Sequence, residues 1–355
     1  MKILFIVPYS TEGASNRFRV EQYLPYLDKE GIKYDVRPFV SKKFYKVLYS
    51  KKNLAKKITY FIQAFFNRIS DIIRLSRYDL VFIHREACPF GPPIFEWLIY
   101  KFRKPIVYDF DDAIFLQNYN LANRFYRFLK FPSKTKEIIK IASKVIVPNI
   151  FLKEYASKFN KHIYIIPTPI NTDKFKIAER SSKELAIGWV GSFTTTPYLK
   201  VIFNVMQQLS KKYDFVLKIF GAGETINIPG VKVENYDWHL EKEVEYFQFI
   251  DIGIYPLIDT LWVRGKAGFK AIQYMAVGVP VVASLIGMNK EIIKDGVNGY
   301  LARTEKEWIE KISKLMEDSN LRKKIGLEGR KTVEEKFSVK ANVHTYLDII
   351  KASWM

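Results

Sequence analysis

Two stretches of this 355-residue chain open alike, and no other feature limits the possible folds so tightly. "KILFIVPYSTEGASNRFRVEQYLPYL", from Lys2, is an apolar run, a polar loop holding Gly13, then apolar residues at helical spacing. "LAIGWVGSFTTTPYLKVIFNVMQQL", from Leu185, repeats the plan with a Gly/Ser/Thr loop. Short apolar runs then alternate with helix-length segments. They are "YDLVFIH", "KPIVYDF", "KVIVP" and "IYIIP" in the first half, and "FVLKIFG", "IDIGIYP", "VPVVAS" and "GYLA" in the second. Uninterrupted apolar runs fit strands covered on both faces, and helical spacers between them fit parallel sheets. The chain is therefore read as α/β, with two Rossmann-like doubly wound domains. The proline-containing polar segment "IPTPINTDKFKIAERSSKE" marks their junction. That sets the domains at residues 1–168 and 169–337. The final segment, 338–355, is an amphipathic helix that either caps the second domain or crosses back to the first. Ligands in such folds sit beyond the carboxyl ends of strands.

Composition removes several classes. Hydrophobic residues make up 48% and aromatics 15%, which argues against disorder. A single cysteine, Cys88, allows no internal disulfide and fits a reducing compartment. His84, His162, His239 and His344 lack metal-ligand spacing, so no resident metal is expected. No stretch approaches the ~18 apolar residues of a membrane span, and the first apolar run is too short for a signal peptide. The expected location is the cytoplasm, with peripheral attachment to the inner face of the membrane.

The net charge of +20 is uneven. Residues 1–168 carry 30 Lys/Arg and 14 Asp/Glu (+16), and residues 169–355 carry 27 and 23 (+4). The basic half points to nucleic acid, anionic lipid or a phosphorylated substrate. Residues 40–77 hold ten cations against one acid, Asp71, interleaved with Phe, Tyr, Ile and Leu. An anionic membrane surface is the expected partner of this segment, and the plain alternative is a solvated helix with its apolar stripe on the core. No nucleic-acid-binding motif is present, so no specific nucleic acid is expected.

"RGKAGFKAIQYMAVGVPVVAS", residues 264–284, reads as loop, helix, turn and strand. It sets Arg264 and Lys266 before a helix and Lys270 one turn into it. Cations there oppose the helix dipole by about 0.3–1 kcal/mol each, a cost that a bound diphosphate cancels. The alternative is that they point into water. Gly265 and Gly268 would let a ligand approach the backbone. Gly191 and Ser192 of "GWVGSFTTT", Gly223 of "FGAGET" and Gly13 are further candidates for donor contacts. "VYDFDDAIF" puts Asp109, Asp111 and Asp112 at a strand end. Asp111 and Asp112 can orient a hydroxyl, act as a base, hold a divalent ion or cap a helix. Arg17 and Arg19 of "RFR" are candidates for gripping an acceptor phosphate, or are surface charge. His84, beside Arg85 and Glu86, reads as structural.

Together these segments resemble glycosyltransferase family 4, nucleotide-sugar-dependent retaining enzymes of GT-B fold. The likeness rests on "FKAIQYMAVGVPVVASLIGMNKEIIKDGVNGYL", with its Asn298-Gly299 turn, and on "VIVPNIFLKEYASKF" with "IYIIPTPINTDKF". The resemblance implies two Rossmann-like domains facing a cleft, with the last helix returning to the first domain. It implies a nucleotide sugar as donor on the second domain and a glycan or lipid-diphosphate-linked acceptor on the first. It further implies a metal-independent transfer with retention of configuration. The two glutamates of the family's donor motif fall on Gly265 and Gln273. Its two diphosphate-gripping cations fall on Ser192 and near Pro197, and its His-Asp pair falls on Asp111 and Asp112. Two other classes stay open: a GT-B nucleotide-sugar epimerase, and a non-catalytic protein that binds nucleotide sugar or nucleic acid.

Overall fold

The computed structural model describes residues 1–48, 52–116, 131, 133–177 and 184–354. Residues 178–183, part of the expected junction, lie outside these. The chain forms two units, 1–169 with 342–355, and 170–341.

In the first unit, six parallel strands run in the order β2-β1-β3-β4-β5-β6. They are β1 (Lys2–Tyr9), β2 (Lys33–Val40), β3 (Leu80–His84), β4 (Ile106–Asp109), β5 (Lys144–Val147) and β6 (Ile163–Ile165). Ile3 to Val7 and Leu80 to Ile83 are wholly buried, because helices cover both faces of a doubly wound sheet. The strand order reverses between β1 and β3, and the loops leaving those strands frame the crevice where such sheets take ligands. The helix Val339–Trp354 joins this unit from Asn342 onward. There Tyr346 stacks on Tyr23 at 3.9 Å, and Lys351 bonds Glu30 at 2.6 Å.

In the second unit the order is β12-β11-β10-β7-β8-β9. The strands are β7 (Ala186–Val190), β8 (Val216–Phe220), β9 (Val233–Tyr236), β10 (Ile252–Tyr255), β11 (Val281–Ser284) and β12 (Tyr300–Ala302). Here the order reverses between β7 and β10. Gly253 pairs with Gly188 across that point. A Cβ on Gly188 would stand 2.2 Å from Ile250, and one on Gly253 would stand 2.5 Å from the Tyr274 ring. The missing side chains thus let Tyr274, on the helix Phe269–Ala276, reach the end of β7. Its hydroxyl donates to Gly188 O at 3.0 Å and accepts from Val190 N at 2.9 Å. The same helix ends on a cation of the favourable sign: Arg330 donates to the carbonyls of Ala276, Phe175 and Thr172.

Candidate functional site

Each unit gathers polar groups at the carboxyl ends of its strands, and the two sets differ in kind. In the first unit the register sets His84 of β3 opposite Asp109 of β4. His84 Nδ1 lies 2.6 Å from Asp109 Oδ2. Arg19 Nε meets both Asp109 oxygens at 3.2 Å, its Nη2 also bonds Oδ1, and its Nη1 donates to Ile166 O at 2.8 Å. All three residues are at most 2% exposed. Burial alone would raise the Asp109 pKa, but Arg19 and the His84 bond outweigh it and hold the carboxyl below its ordinary value. Arg19 is held above its own ordinary value, against burial, by the same carboxylate.

This corrects the expectation for the "RFR" arginines. Arg19 is a buried clamp on Asp109, out of reach of an acceptor. Arg17 is nearly buried, and its Nη1 donates to Thr11 O at 2.9 Å and Glu12 O at 3.2 Å, which braces the loop after β1. In that loop Gly13 is required by Tyr9, whose Cβ lies 2.4 Å from where a Gly13 Cβ would sit.

Asp111 and Asp112 share one partner that was not singled out from the sequence. Arg85 takes a left-handed backbone conformation, φ 61°. Its Nε donates to Asp111 Oδ1 at 2.6 Å and its Nη2 to Asp112 Oδ2 at 2.7 Å. His84 Nε2 stands 4.0 Å from Asp111 Oδ1. Burial pushes Asp111 up, but the Arg85 charge foremost, with His84, holds it far below the carboxylate range. A carboxylate so held is an acceptor for hydrogen bonds from a hydroxyl. Among the described residues, no group of three or more His, Cys, Asp or Glu side chains is arranged to hold a metal ion.

The second unit presents turns and hydroxyls. After β7, Ser192 N donates to Thr195 Oγ1 at 3.0 Å, and Thr196 Oγ1 donates to Ala222 O at 2.8 Å in the loop after β8. The two loops pack backbone on backbone: a Cβ on Gly221 would lie 2.7 Å from Gly191 O. Gly191 faces the Trp189 ring, and Gly223, at φ 74°, faces Phe193. These glycines are thus explained by packing. Phe193 itself is 55% exposed at the strand ends.

The cation segment departs from expectation in detail. Leu261–Arg264 is a short helix, so Arg264, while preceding the helix Phe269–Ala276 as expected, also ends a helix of its own, where its charge has the favourable sign. It also pairs with exposed Asp259, at 2.8 and 3.0 Å. Gly268 (φ 63°) precedes the helix Phe269–Ala276, and a Cβ there would meet Ile292 at 2.5 Å, so packing again accounts for the glycine. Lys266 lies half-buried in the turn between the helices. Lys270 Nζ donates to Gln273 Oε1 at 2.9 Å and sits 5.2 Å over the Phe247 ring. Gln273 Nε2 reaches buried Glu243 at 3.5 Å. Glu243 is thirty positions upstream of Gln273, and no spacing in the sequence announces it. The hollow lined by Glu184, Lys212, Asp214 and Asp251 lies at the amino ends of β7, β8 and β10, the end away from these loops.

Two parallel doubly wound sheets, with polar sets at their carboxyl ends, define a two-domain α/β protein of GT-B fold. Known structures agree over the whole chain. A glycosyltransferase from Rickettsia africae superposes with TM-score 0.71 at 18% identity, covering 99% of this chain and 98% of its own. Anabaena HepE in complex with UDP-glucose superposes with TM-score 0.69 at 15% identity, covering 99% and 100%. Residues 170–332 match the family model described as glycosyl transferases group 1. The capsular polysaccharide biosynthesis glycosyltransferase CapM of Staphylococcus aureus is 27% identical over 189 residues, 47% of each chain. The match thus spans about half the length of that relative.

Proposed function

We propose that this chain is a glycosyltransferase that moves a sugar from a nucleoside diphosphate sugar to a hydroxyl of a glycan or lipid-linked acceptor. The match of residues 170–332 to glycosyl transferases group 1 carries the reading. The fold shared with the UDP-glucose complex of HepE, and the capsular polysaccharide role in the name of CapM, support it. In this reading the donor diphosphate lies at the carboxyl ends of β7 and β10, against Lys266, Lys270 and the start of the helix Phe269–Ala276. Fixed cations and helix N–H groups stabilise the leaving nucleoside diphosphate, the work a bound metal does elsewhere. Gln273 accepts or donates hydrogen bonds to donor hydroxyls without a charge of its own. In the first unit, Asp111 orients a substrate hydroxyl, and Arg85 keeps that carboxylate ionised. The transfer retains anomeric configuration and needs no metal.

Calorimetry of the pure protein with UDP, GDP and ADP, followed by assays of diphosphate release from the matching nucleotide sugars, tests this. One nucleoside diphosphate should bind saturably, and release should quicken when an acceptor is supplied. Failure of all three to bind at about 1 mM, where association is worth only ~4 kcal/mol, overturns the reading. Sugar turnover at full rate without acceptor would assign an epimerase instead.

A further inference from the structure

We infer that the outward face of the helix Leu54–Ile73, continued by the helix Ile94–Lys101, is a docking surface for an anionic lipid bilayer. The inward side of the first helix is already used. Ala64, Arg68, Asp71 and Ile72 are buried, with Arg68 bonded to Asp71 at 2.9 Å and to Ala87 O at 3.0 Å. Residues 40–77 therefore do not lie on a membrane as a whole, and Arg68 is not among the cations that could meet one.

A second apolar stripe runs along the same helix on the water side. Leu54, Ile58, Ile62, Phe66 and Ile73 are 67%, 52%, 49%, 64% and 76% exposed. At about 100° per residue they share roughly one third of the circumference. Lys56, Gln63, Asn67 and Arg74 fall outside that arc. Phe65, within the same arc, packs edge-on against Phe95 at 5.3 Å, which joins the stripe to the second helix. That helix exposes Ile94 and Trp97, and Phe102 follows it at 59% exposure. Single exposed apolar residues are ordinary, but a contiguous set across two helices marks an interaction surface.

Charge decides the occupant. Lys56 and Arg74 are exposed on the flank of the first helix beyond the stripe, Arg77 follows that helix, and Lys101 and Arg103 are exposed at the end of the second. The only acids within 54–77 and 94–104 are Asp71 and Glu96, 7% and 0% exposed. A second copy of this chain would bring two basic faces together with no acid to pair. An anionic bilayer supplies negative headgroups for the cations and an apolar layer for Ile62, Phe66 and Trp97. No helix among the described residues is long and apolar enough to cross a membrane, so the attachment is to the surface. The surface would hold a lipid-linked acceptor's enzyme beside its substrate. That consequence alone rests on the transferase reading, since vesicle binding needs no donor.

The test is co-sedimentation of the full chain with phosphatidylcholine vesicles, with and without phosphatidylglycerol. Binding to the anionic vesicles should exceed binding to neutral ones by about tenfold or more at low salt, and weaken at high salt. Ile62→Glu/Phe66→Glu, and separately Trp97→Glu, should each cut it about tenfold or more while circular dichroism stays native. Three results overturn the inference. One is no sedimentation with anionic vesicles at low salt, and another is unchanged sedimentation of both variants. The third is a lipid-free dimer that the double variant dissociates, which would name a second copy as the occupant.

Discussion

Arg19→Met tests whether the first unit's strand ends are built on a buried charge clamp. The substitution keeps the length of the side chain and removes the guanidinium. Asp109, 1% exposed, is left with His84 as its remaining named partner, and Ile166 O loses its donor. Removing one member of a buried ion pair costs about 3–5 kcal/mol, since the other charge stays in a low-dielectric site. A unit of 183 residues (169 + 14) loses about 2–4 °C of Tm per kcal/mol. The first unit's transition should therefore fall by about 6–20 °C, while that of the second unit stays in place. Scanning calorimetry fitted as two transitions reads this directly. The pH dependence has a definite sign. Asp109 is held below its unfolded pKa, so its contribution is complete above that value and fades as pH falls through the folded one. The difference between wild type and variant should shrink in acid. Arg19→Met/Asp109→Leu, which removes both charges, should recover most of the loss. A single variant whose Tm falls by less than ~4 °C would refute the clamp, and return Arg19 to the list of acceptor-binding candidates.

Glu96 titrates the other way. It is fully buried, with Oε1 accepting from Ala87 N at 2.9 Å, and burial pushes its pKa up. A raised folded pKa makes the ionised form costly, so stability is lost as pH rises through it. Glu96→Gln keeps the acceptor without the charge. Its melting temperature should exceed that of wild type near pH 8 and match it near pH 4, and a less stable variant near pH 8 would contradict this. In the second unit, Lys270→Ala should weaken nucleoside diphosphate binding at least tenfold, about 1.4 kcal/mol. Arg264→Ala should leave melting unchanged, because its pair with Asp259 is exposed. An unaltered dissociation constant for Lys270→Ala would remove that residue from the donor site.

The architecture was legible because a strand covered on both faces has no polar positions to spare. "KILFIVP" and "LVFIH" cannot sit elsewhere without exposing a whole apolar row. Local reasoning failed where the cause was distant. Arg19 reads as a grip for an acceptor phosphate until Asp109, ninety positions on, is brought beside it by the β1-β3-β4 order. Gly268 reads as an opening for a ligand until Ile292 is seen against it. Arg264 reads as a cation of the wrong sign only if the turn Leu261–Arg264 is not recognised as helix. Each error came from assigning to a ligand what packing or pairing within the chain already explains.

The two strand-end sets also resolve a conflict posed by the overall charge. Residues 1–168 carry +16, which on net charge alone directs a phosphorylated ligand to the first unit. Yet within the bonded set at the ends of its strands, Arg19 and Arg85 stand against Asp109, Asp111 and Asp112, a sum of −1 for these five side chains. At the second unit's strand ends, Arg264, Lys266 and Lys270 stand against Asp259 and Glu243, a sum of +1. The proposed diphosphate site thus falls on the less basic unit. The excess cations of the first unit lie elsewhere, some of them exposed on the two helices that carry the apolar stripe. On the two proposals made above, net charge by halves goes with the extended anionic surface, and the local sums go with the small anion.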